Sequence, residues 1–480
     1  MRDRVRNAIF WRSGSQIVAQ LIAWTSTFLV IRMLDPADYG LFAMATIVIV
    51  FLSLLEGYGF ASSLIQRERI TKLEIRQVFG MLILLNVALG AIQFAVAPLA
   101  AAYFREPEVT NLLRVQVLLF LTTPFIALPF ALLSRELEYR KQALASLAGS
   151  ICGAITALVL AWNGFGVWTL VYAPIVMFTV RAILMTYAAR SLVWPSFSFK
   201  GTGALVGFGG AMTVTQFFWF LQSQSDVFIG GRAFDAYSLG LYTTALFLVQ
   251  ILVAKFVPPL NDVAFSAYSR MHREGSAIAP AFAGAVRMIM IIALPFYLGL
   301  AITAEPLVTA VLGEQWLEII PLVQLLALAM PFMTLQILFA PATNAQGRPW
   351  IDLRVHIAGA LIMGCAFLIG VNYGIEGMAR MWLIAFPLLT AVTMALSMPV
   401  IGIRLGELLG AILPGLAASL AMAALVMALD MALPPLSPFA RLATLGFAGM
   451  ACYALLLLIF ARPMVTELWG FIVKREPVLT

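Results

Sequence analysis

The sequence predicts an all-α integral membrane protein with about fourteen transmembrane helices. Of the 480 residues, 62% are hydrophobic and 11% are charged, and the mean hydropathy is +0.97. A soluble protein carries about a quarter charged residues. The apolar residues fall in blocks of about twenty, which is the length that a helix needs to cross ~30 Å of hydrocarbon. No polar stretch is long enough to form a separate water-facing domain.

The apolar blocks define the predicted transmembrane helices. Short loops join them, and proline or glycine interrupts several of them. A membrane protein tolerates such breaks where neighbouring helices or a wet cavity satisfy the freed backbone groups. The blocks run over residues 9–31, 38–60, 78–102, 111–133, 142–162, 164–187, 203–231, 237–259, 282–303, 320–343, 352–372, 374–399, 405–430 and 438–461.

The basic residues predict the orientation of the chain. Lys and Arg are concentrated at the N-terminus and in every second loop, as expected for the cytoplasmic side. This alternation holds along the whole chain, so both termini are predicted to be cytoplasmic. The net charge of +7 indicates contact with anionic lipid headgroups rather than with nucleic acid. The remaining loops together hold six basic residues, namely Arg32, Arg105, Arg114, Arg232, Arg380 and Arg441.

A repeat at a constant offset of 200 residues divides the chain. Six predicted helices separate the two copies, and because six is even the copies run in the same direction across the membrane. Parallel repeats of this kind are a known transporter plan. The predicted domains are therefore a lobe of helices 1–6 over 1–190, a lobe of helices 7–12 over 191–400, and helices 13–14 with a cytoplasmic tail over 401–480. The matching pairs are Arg32 and Arg232, Asp35 and Asp235, Gly40 and Gly240, and Leu41 and Leu241.

The repeated Arg and Asp residues lie at the predicted external ends of helices 1–2 and 7–8, and they have two interpretations. In the first interpretation, the Arg and Asp of each copy form a local salt bridge or helix cap, Arg32 with Asp35 and Arg232 with Asp235. In the second they form an external gate that holds the two lobes together until substrate arrives.

Three segments resemble a known family. They are DPADYGLFAMATIVIVFLSLLEGYGFASSLIQR at 35–67, LSRELEYR at 133–140, and the Gly-Arg and Gly-Leu-Tyr positions of 231–242. The chain resembles, over nearly its whole length, the polysaccharide-transporter branch (Wzx- and WzxC-like oligosaccharide flippases) of the multidrug/oligosaccharidyl-lipid/polysaccharide exporter superfamily.

The resemblance implies a flippase of the bacterial inner membrane. Its cargo is implied to be an undecaprenyl-diphosphate-linked oligosaccharide, moved from the cytoplasmic to the periplasmic leaflet by alternating access. The implied partners are this lipid-linked oligosaccharide and membrane lipids, and a polysaccharide polymerase and export machinery are left open. No cofactor is implied, with proton or sodium coupling left open. The alternative is an ion-coupled multidrug exporter of the same superfamily.

The sequence lacks the motifs of an enzyme or a metal site. It contains no Walker A glycine loop, no H-E-x-x-H and no acidic metal cluster. Its three cysteines fit no zinc spacing. The predicted external loops are short and contain no histidine. A transport protein without catalytic residues is therefore expected.

Polar side chains recur along one face of helix 1 and one face of helix 7. Amides and indoles suit sugars because they offer hydrogen bonds and a flat apolar surface. These faces are candidates for lining a substrate cavity, and the alternative is interhelical hydrogen bonding within a lobe. The candidates are Arg12, Gln16, Gln20 and Trp24 on helix 1, and Trp219, Gln222 and Asp226 on helix 7, with Gln216 flanking the helix 7 face.

Charged residues inside the apolar blocks are the second group of candidates, because charge is costly in hydrocarbon and is usually functional there. Arg12 and Lys255 are hypothesised to meet the diphosphate at the inward-open mouth, or else to reach the inner headgroups. Asp226 is the carboxylate proposed for proton or cation coupling, with a structural hydrogen bond as the alternative. Glu56 is hypothesised to pair with Lys255 across the lobe interface.

This pairing predicts the outcome of charge reversal. Glu56→Lys and Lys255→Glu are each expected to lower transport, because each places two like charges together, and the double variant is expected to restore it. The measurement is the sidedness of lipid-linked glycan in cells that carry each variant. A double variant no better than the single ones would exclude the pair.

Overall fold

The computed structural model describes residues 19–56, 64, 70–198 and 203–460 of the chain, and the side chains of 203–213 and 460 are not among the described atoms. Within these residues the regular structure is helical and contains no strand. Eleven described stretches are long and apolar enough to cross a membrane, and a shorter apolar helix spans Ala19–Met33. The predicted all-α membrane fold is confirmed, whereas the count of fourteen helices stays a prediction.

The α-helices are numbered in chain order. They are α1 Ala19–Met33, α2 Pro36–Ser53, α3 Lys72–Phe104, α4 Glu108–Thr122, α5 Pro124–Arg135, α6 Tyr139–Trp162, α7 Val167–Ala189, α8 Gly203–Ala233, α9 Ala236–Arg273, α10 Ala279–Ile302, α11 Ala304–Leu307, α12 Ile320–Ile337, α13 Phe339–Ala345, α14 Pro349–Gly370, α15 Gly374–Ile401, α16 Leu405–Ala432 and α17 Pro438–Phe460.

The described residues fall into two compact units. Unit 1 comprises those of Met1–Phe220 and Gly231–Gly240, and unit 2 comprises those of Leu221–Gly230 and Leu241–Thr480. The first half of α8 belongs to unit 1 and most of its second half to unit 2. The predicted division into lobes of 1–190 and 191–400 with an appended 401–480 stays a prediction.

Proline breaks two of the predicted helices into shorter pieces. The block 111–133 is divided into α4 and α5 at Pro124, because proline has no amide to continue the helical ladder. The block 320–343 is divided into α12 and α13 just before Pro341. The carbonyl of Ile337, four residues before Pro341, accepts a hydrogen bond of 3.3 Å from the Asn261 side chain of α9. A neighbouring helix thus satisfies the freed group, as the sequence analysis expects of a membrane protein.

Small residues bring neighbouring helices close together. Gly149 and Gly153 lie four residues apart on α6, and a Cβ on either would press against Met177 of α7. Such a spacing of small residues lets membrane helices pack at short backbone distance. In unit 2, Gly415 of α16 packs on the backbone of α10, where its Cβ would lie 3.6 Å from the Ile291 Cα. Helix α16 therefore packs directly on α10.

Candidate functional site

The polar face of α1 is described only in part. Arg12 and Gln16 lie outside the described residues, and Gln20 and Trp24 are half-buried. Two residues after Trp24, Ser26 is buried and donates a hydrogen bond of 3.4 Å to the Ala154 carbonyl of α6. The second half of α1 is thus attached to α6.

The polar face of α8 changes character along the helix. Gln216 and Trp219 belong to unit 1 and are exposed. Gln222 belongs to unit 2, and its Oε1 lies 2.9 Å from the His356 Nδ1 of α14. Gly359 of the same helix leaves the space for this amide, because a Cβ there would overlap the Gln222 side chain. Gln222 therefore makes an interhelical hydrogen bond, whereas the side chains of Gln216 and Trp219 are exposed and accessible to a ligand.

The contact of Gln222 extends into a short polar chain. The other ring nitrogen of His356, Nε2, lies 3.4 Å from the Asp352 Oδ1 one turn earlier on α14. Both partners are largely buried, with 15% and 21% of their side chains exposed. A protonated imidazole can donate to the carboxylate and the amide oxygen at once. The chain Asp352, His356 and Gln222 thus joins α14 to α8.

Asp226 lies at one end of a second polar chain, within unit 2. It is 3% exposed, and its Oδ2 accepts a hydrogen bond of 3.1 Å from the hydroxyl of Tyr242 on α9. The same hydroxyl accepts a 2.7 Å hydrogen bond from the Trp382 Nε1 of α15. The Trp382 indole is stacked on Phe386 at 4.9 Å between ring centroids. Asp226 is therefore a hydrogen-bonded carboxylate in a chain that connects three helices, and its role in ion coupling stays a prediction.

The remaining charged candidates lie in different units. Glu56 is half-buried just beyond α2 in unit 1, and its backbone carbonyl accepts a 3.2 Å hydrogen bond from the Asn86 side chain. Lys255 is exposed on α9 in unit 2. Their pairing stays a prediction.

The repeated aspartates cap helices. Asp35 precedes α2 and accepts a hydrogen bond of 2.9 Å from the Ala37 amide, while the Asp38 carboxylate accepts one of 3.1 Å from the Asp35 amide. Asp235 precedes α9 and accepts one of 3.0 Å from the Ser238 amide. These bonds satisfy amides that the first turn of a helix leaves without a backbone partner.

The repeated arginines are exposed at the same ends. Arg232 donates a hydrogen bond of 2.8 Å to the carbonyl of Tyr103 and lies over its ring. Arg32 is likewise exposed. The cap interpretation accounts for both aspartates, and the gate stays a prediction.

The repeat creates a reciprocal contact at the starts of α2 and α9, within unit 1. A Cβ on Gly40 would overlap the carbonyl of Ala236, and a Cβ on Gly240 would overlap the carbonyl of Pro36. Pro36 and Ala236 are themselves related by the offset of 200. Each copy thus presents the same glycine to the same backbone position of the other copy. Only glycine permits two helices to cross this closely.

Sequence reasoning missed Tyr242, Trp382 and His356. A signal for the first was present, because the repeat pairs Ser26 with Asp226 and Phe42 with Tyr242. The acid and the hydroxyl therefore occur together, in the second copy only. Trp382 and His356 come from helices far along the chain, and nothing in the local sequence points to their partners.

Comparison with known proteins yields both relatives and structural neighbours. The model of a family described as "Polysaccharide biosynthesis protein" matches residues 29–321. The lipopolysaccharide biosynthesis protein WzxC of Escherichia coli (strain K12) is 22% identical over 372 residues, which are 77% of this chain and 76% of that protein. The succinoglycan biosynthesis transport protein ExoT of Rhizobium meliloti (strain 1021) is 28% identical over 358 residues, 73% of this chain and 71% of that one. The resemblance stated from the sequence is confirmed.

Solved structures agree on the fold. The lipid II flippase MurJ, in an inward closed conformation, has a TM-score of 0.78 and 14% identity, and the match covers 95% of this chain and 99% of that one. An inward-facing multidrug resistance MATE family transporter of the MOP superfamily has a TM-score of 0.65 and 17% identity, covering 82% of this chain and 98% of that one. At such identities the likeness concerns the fold alone. The chain is a multi-pass membrane protein of this fold.

The reciprocal crossing predicts the effect of adding a methyl group. Gly40→Ala and Gly240→Ala are each expected to lower thermal stability and transport, because each forces the two helices apart. The double variant is expected to lose less than the two single losses added together, since both changes act on one contact. Gly364→Ala is the control, because nothing lies within 4 Å of a Cβ there. Additive losses would mean that the two glycines act independently.

The bonded Asp226 predicts the effect of removing one hydroxyl. Tyr242→Phe is expected to lower stability by about 1–3 kcal/mol, because it takes a hydrogen bond from both the Asp226 carboxylate and the Trp382 indole. Tyr187→Phe is the matched control, since that side chain is 84% exposed. Denaturation of both variants in detergent measures the difference. Equal stability of the two would contradict a role for the chain of hydrogen bonds.

Proposed function

The chain belongs to the polysaccharide biosynthesis protein family, and on this premise we propose that it flips undecaprenyl-diphosphate-linked oligosaccharide across the bacterial inner membrane. The cargo is the repeat unit of a surface polysaccharide such as O-antigen or exopolysaccharide. It moves from the cytoplasmic to the periplasmic leaflet.

The observation that carries the proposal is the extent of the family match. Residues 29–321 include both copies of the external turn, at 32–41 and 232–241. The match therefore covers the repeat on which a two-sided transporter is built, rather than one lobe of it. Relatives over most of the chain bear the names of lipopolysaccharide and succinoglycan proteins, and the fold is that of a lipid II flippase. These names support a glycan carried on a lipid.

Alternating access requires an external contact that closes and opens. The crossing of α2 and α9 at Gly40 and Gly240 supports such a contact, because it lies at the predicted external ends of both copies. Asp35 and Asp235 hold the first turns of both helices in place for this contact.

Polar side chains of α8 and α1 support this choice of cargo. The exposed Gln216 and Trp219 offer an amide and an indole to sugar rings, and the half-buried Gln20 and Trp24 offer the same pair on α1. Lys255, and Arg12 at the N-terminus, supply positive charge for the diphosphate. We further propose that both termini are cytoplasmic and that Asp226 is the site at which protons or sodium ions are coupled to transport. A polysaccharide polymerase and export machinery are the further partners.

Deletion of the gene tests the proposal. Undecaprenyl-linked repeat units are expected to accumulate on the cytoplasmic face, since their proposed route to the periplasmic leaflet is removed, and surface polysaccharide is expected to disappear. Extraction of lipid-linked glycans and a sidedness assay on spheroplasts measure both effects. The wild-type gene and the Gly364→Ala variant are the complementing controls.

Two results would contradict the proposal. Unchanged surface polysaccharide in the deletion strain would exclude this cargo. If those cells also became sensitive to cationic drugs, the protein would instead be a multidrug exporter of the same fold.

A further inference from the structure

Three prolines each leave a backbone carbonyl without its helical donor, and each carbonyl accepts a hydrogen bond from a side chain of another helix. The Thr186 hydroxyl of α7 donates a hydrogen bond of 3.0 Å to the carbonyl of Phe125, four residues before Pro129. The Asn261 side chain of α9 donates to the carbonyl of Ile337, as described above. The Tyr453 hydroxyl of α17 donates a hydrogen bond of 2.7 Å to the carbonyl of Ile291, four residues before Pro295. The third bond is the shortest, and its donor comes from outside the predicted six-plus-six repeat.

The bond of Tyr453 lies in a packed apolar environment. Ile291 is 4% exposed and packs in a cluster with Ala418 of α16 and Leu457 of α17. The Tyr453 ring packs against the same cluster. Pro295 lies in the interior of α10, where its ring crowds the Ile291 carbonyl and its missing amide leaves that oxygen without a donor. An unsatisfied carbonyl is costly in such a place. The Tyr453 hydroxyl thus replaces the absent amide.

A second contact ties the same helices together at the predicted external surface. Arg441, near the start of α17, binds Asp430 of α16 through two hydrogen bonds of 2.7 and 2.8 Å. Its third contact is a 3.2 Å bond to Glu305, just after the end of α10. Arg441 and Tyr453 are twelve residues apart, or about 18 Å along a helix. The C-terminal helix pair is therefore attached to the middle of α10 through Tyr453 and to α11, the short helix that follows α10, through Arg441.

We propose that Tyr453 is a positioning residue of the transport cycle: its hydroxyl stands in for the amide that Pro295 lacks, and the C-terminal helix pair thereby holds the bend of α10. Proline in a helix interior kinks it, because it removes one hydrogen bond and crowds the carbonyl four residues earlier. A fixed partner for that carbonyl restricts how the two parts of the helix move. Helices α16 and α17 serve as a brace, and Arg441 keeps the brace in register. The functional part of this inference rests on the proposed flippase activity.

A double-mutant cycle tests the brace without any substrate. Tyr453→Phe is expected to lower the apparent Tm by about 2–4 °C, because the Ile291 carbonyl loses its donor. Pro295→Ala restores the backbone amide, so Tyr453→Phe in that background is expected to change the Tm by less than about 1 °C. Pro414→Ala, a proline substitution in α16, is the matched background in which the full loss is expected. If Tyr453→Phe lowers the Tm equally in all backgrounds, the Tyr453 hydroxyl does not replace the amide that Pro295 lacks.

Flipping per folded protein tests the positioning role. Tyr453→Phe and Pro295→Ala are each expected to slow flipping several-fold, since the first releases the bend and the second removes it. The double variant is expected to flip no more slowly than Pro295→Ala alone. Wild-type flipping by both single variants, measured at matched amounts of folded protein, would overturn the role even if the thermal cycle shows coupling. Failure of the wild type to flip lipid-linked oligosaccharide would contradict the proposed function, whereas the thermal cycle would still decide the brace.

Discussion

A membrane offers no water to a backbone group that its own helix leaves unpaired, and the interior of this protein depends on that constraint. Prolines leave the carbonyls of Phe125, Ile291 and Ile337 without an amide, and each finds a side chain on another helix. Each of these hydrogen bonds lies inside one unit. A break that would be a defect in an isolated helix therefore becomes a defined connection between two helices.

Two polar side chains of α8 show the same principle. The Asp226 carboxylate is held by a tyrosine hydroxyl that a tryptophan indole supports in turn, and Gln222 is held by His356. Both residues lie on the part of α8 that belongs to unit 2. The exposed Gln216 and Trp219 lie on the other part, in unit 1. One helix thus combines side chains that fasten it to its neighbours with side chains that are accessible to a ligand.

The helices were predictable because hydropathy and length decide what can cross a membrane, and the break at Pro124 follows from proline chemistry alone. Partners were not predictable, because they lie far away along the chain. Tyr453 and Ile291 are 162 residues apart, and Trp382 and Tyr242 are 140 apart. Local patterns carry no information on such pairs. The matched glycines of the repeat were visible in the sequence, but only the fold brings them together.

The crossing of the two copies has a consequence for the history of the chain. After a duplication, two copies usually diverge freely, each tolerating its own substitutions. Here Gly40 faces the residue equivalent to Pro36, and Gly240 faces Pro36 itself. A bulkier residue at either glycine would overlap the backbone of the other copy, so substitution at these positions in one copy is restrained by the other. At this crossing, therefore, each copy of the repeat constrains the other to keep its glycine.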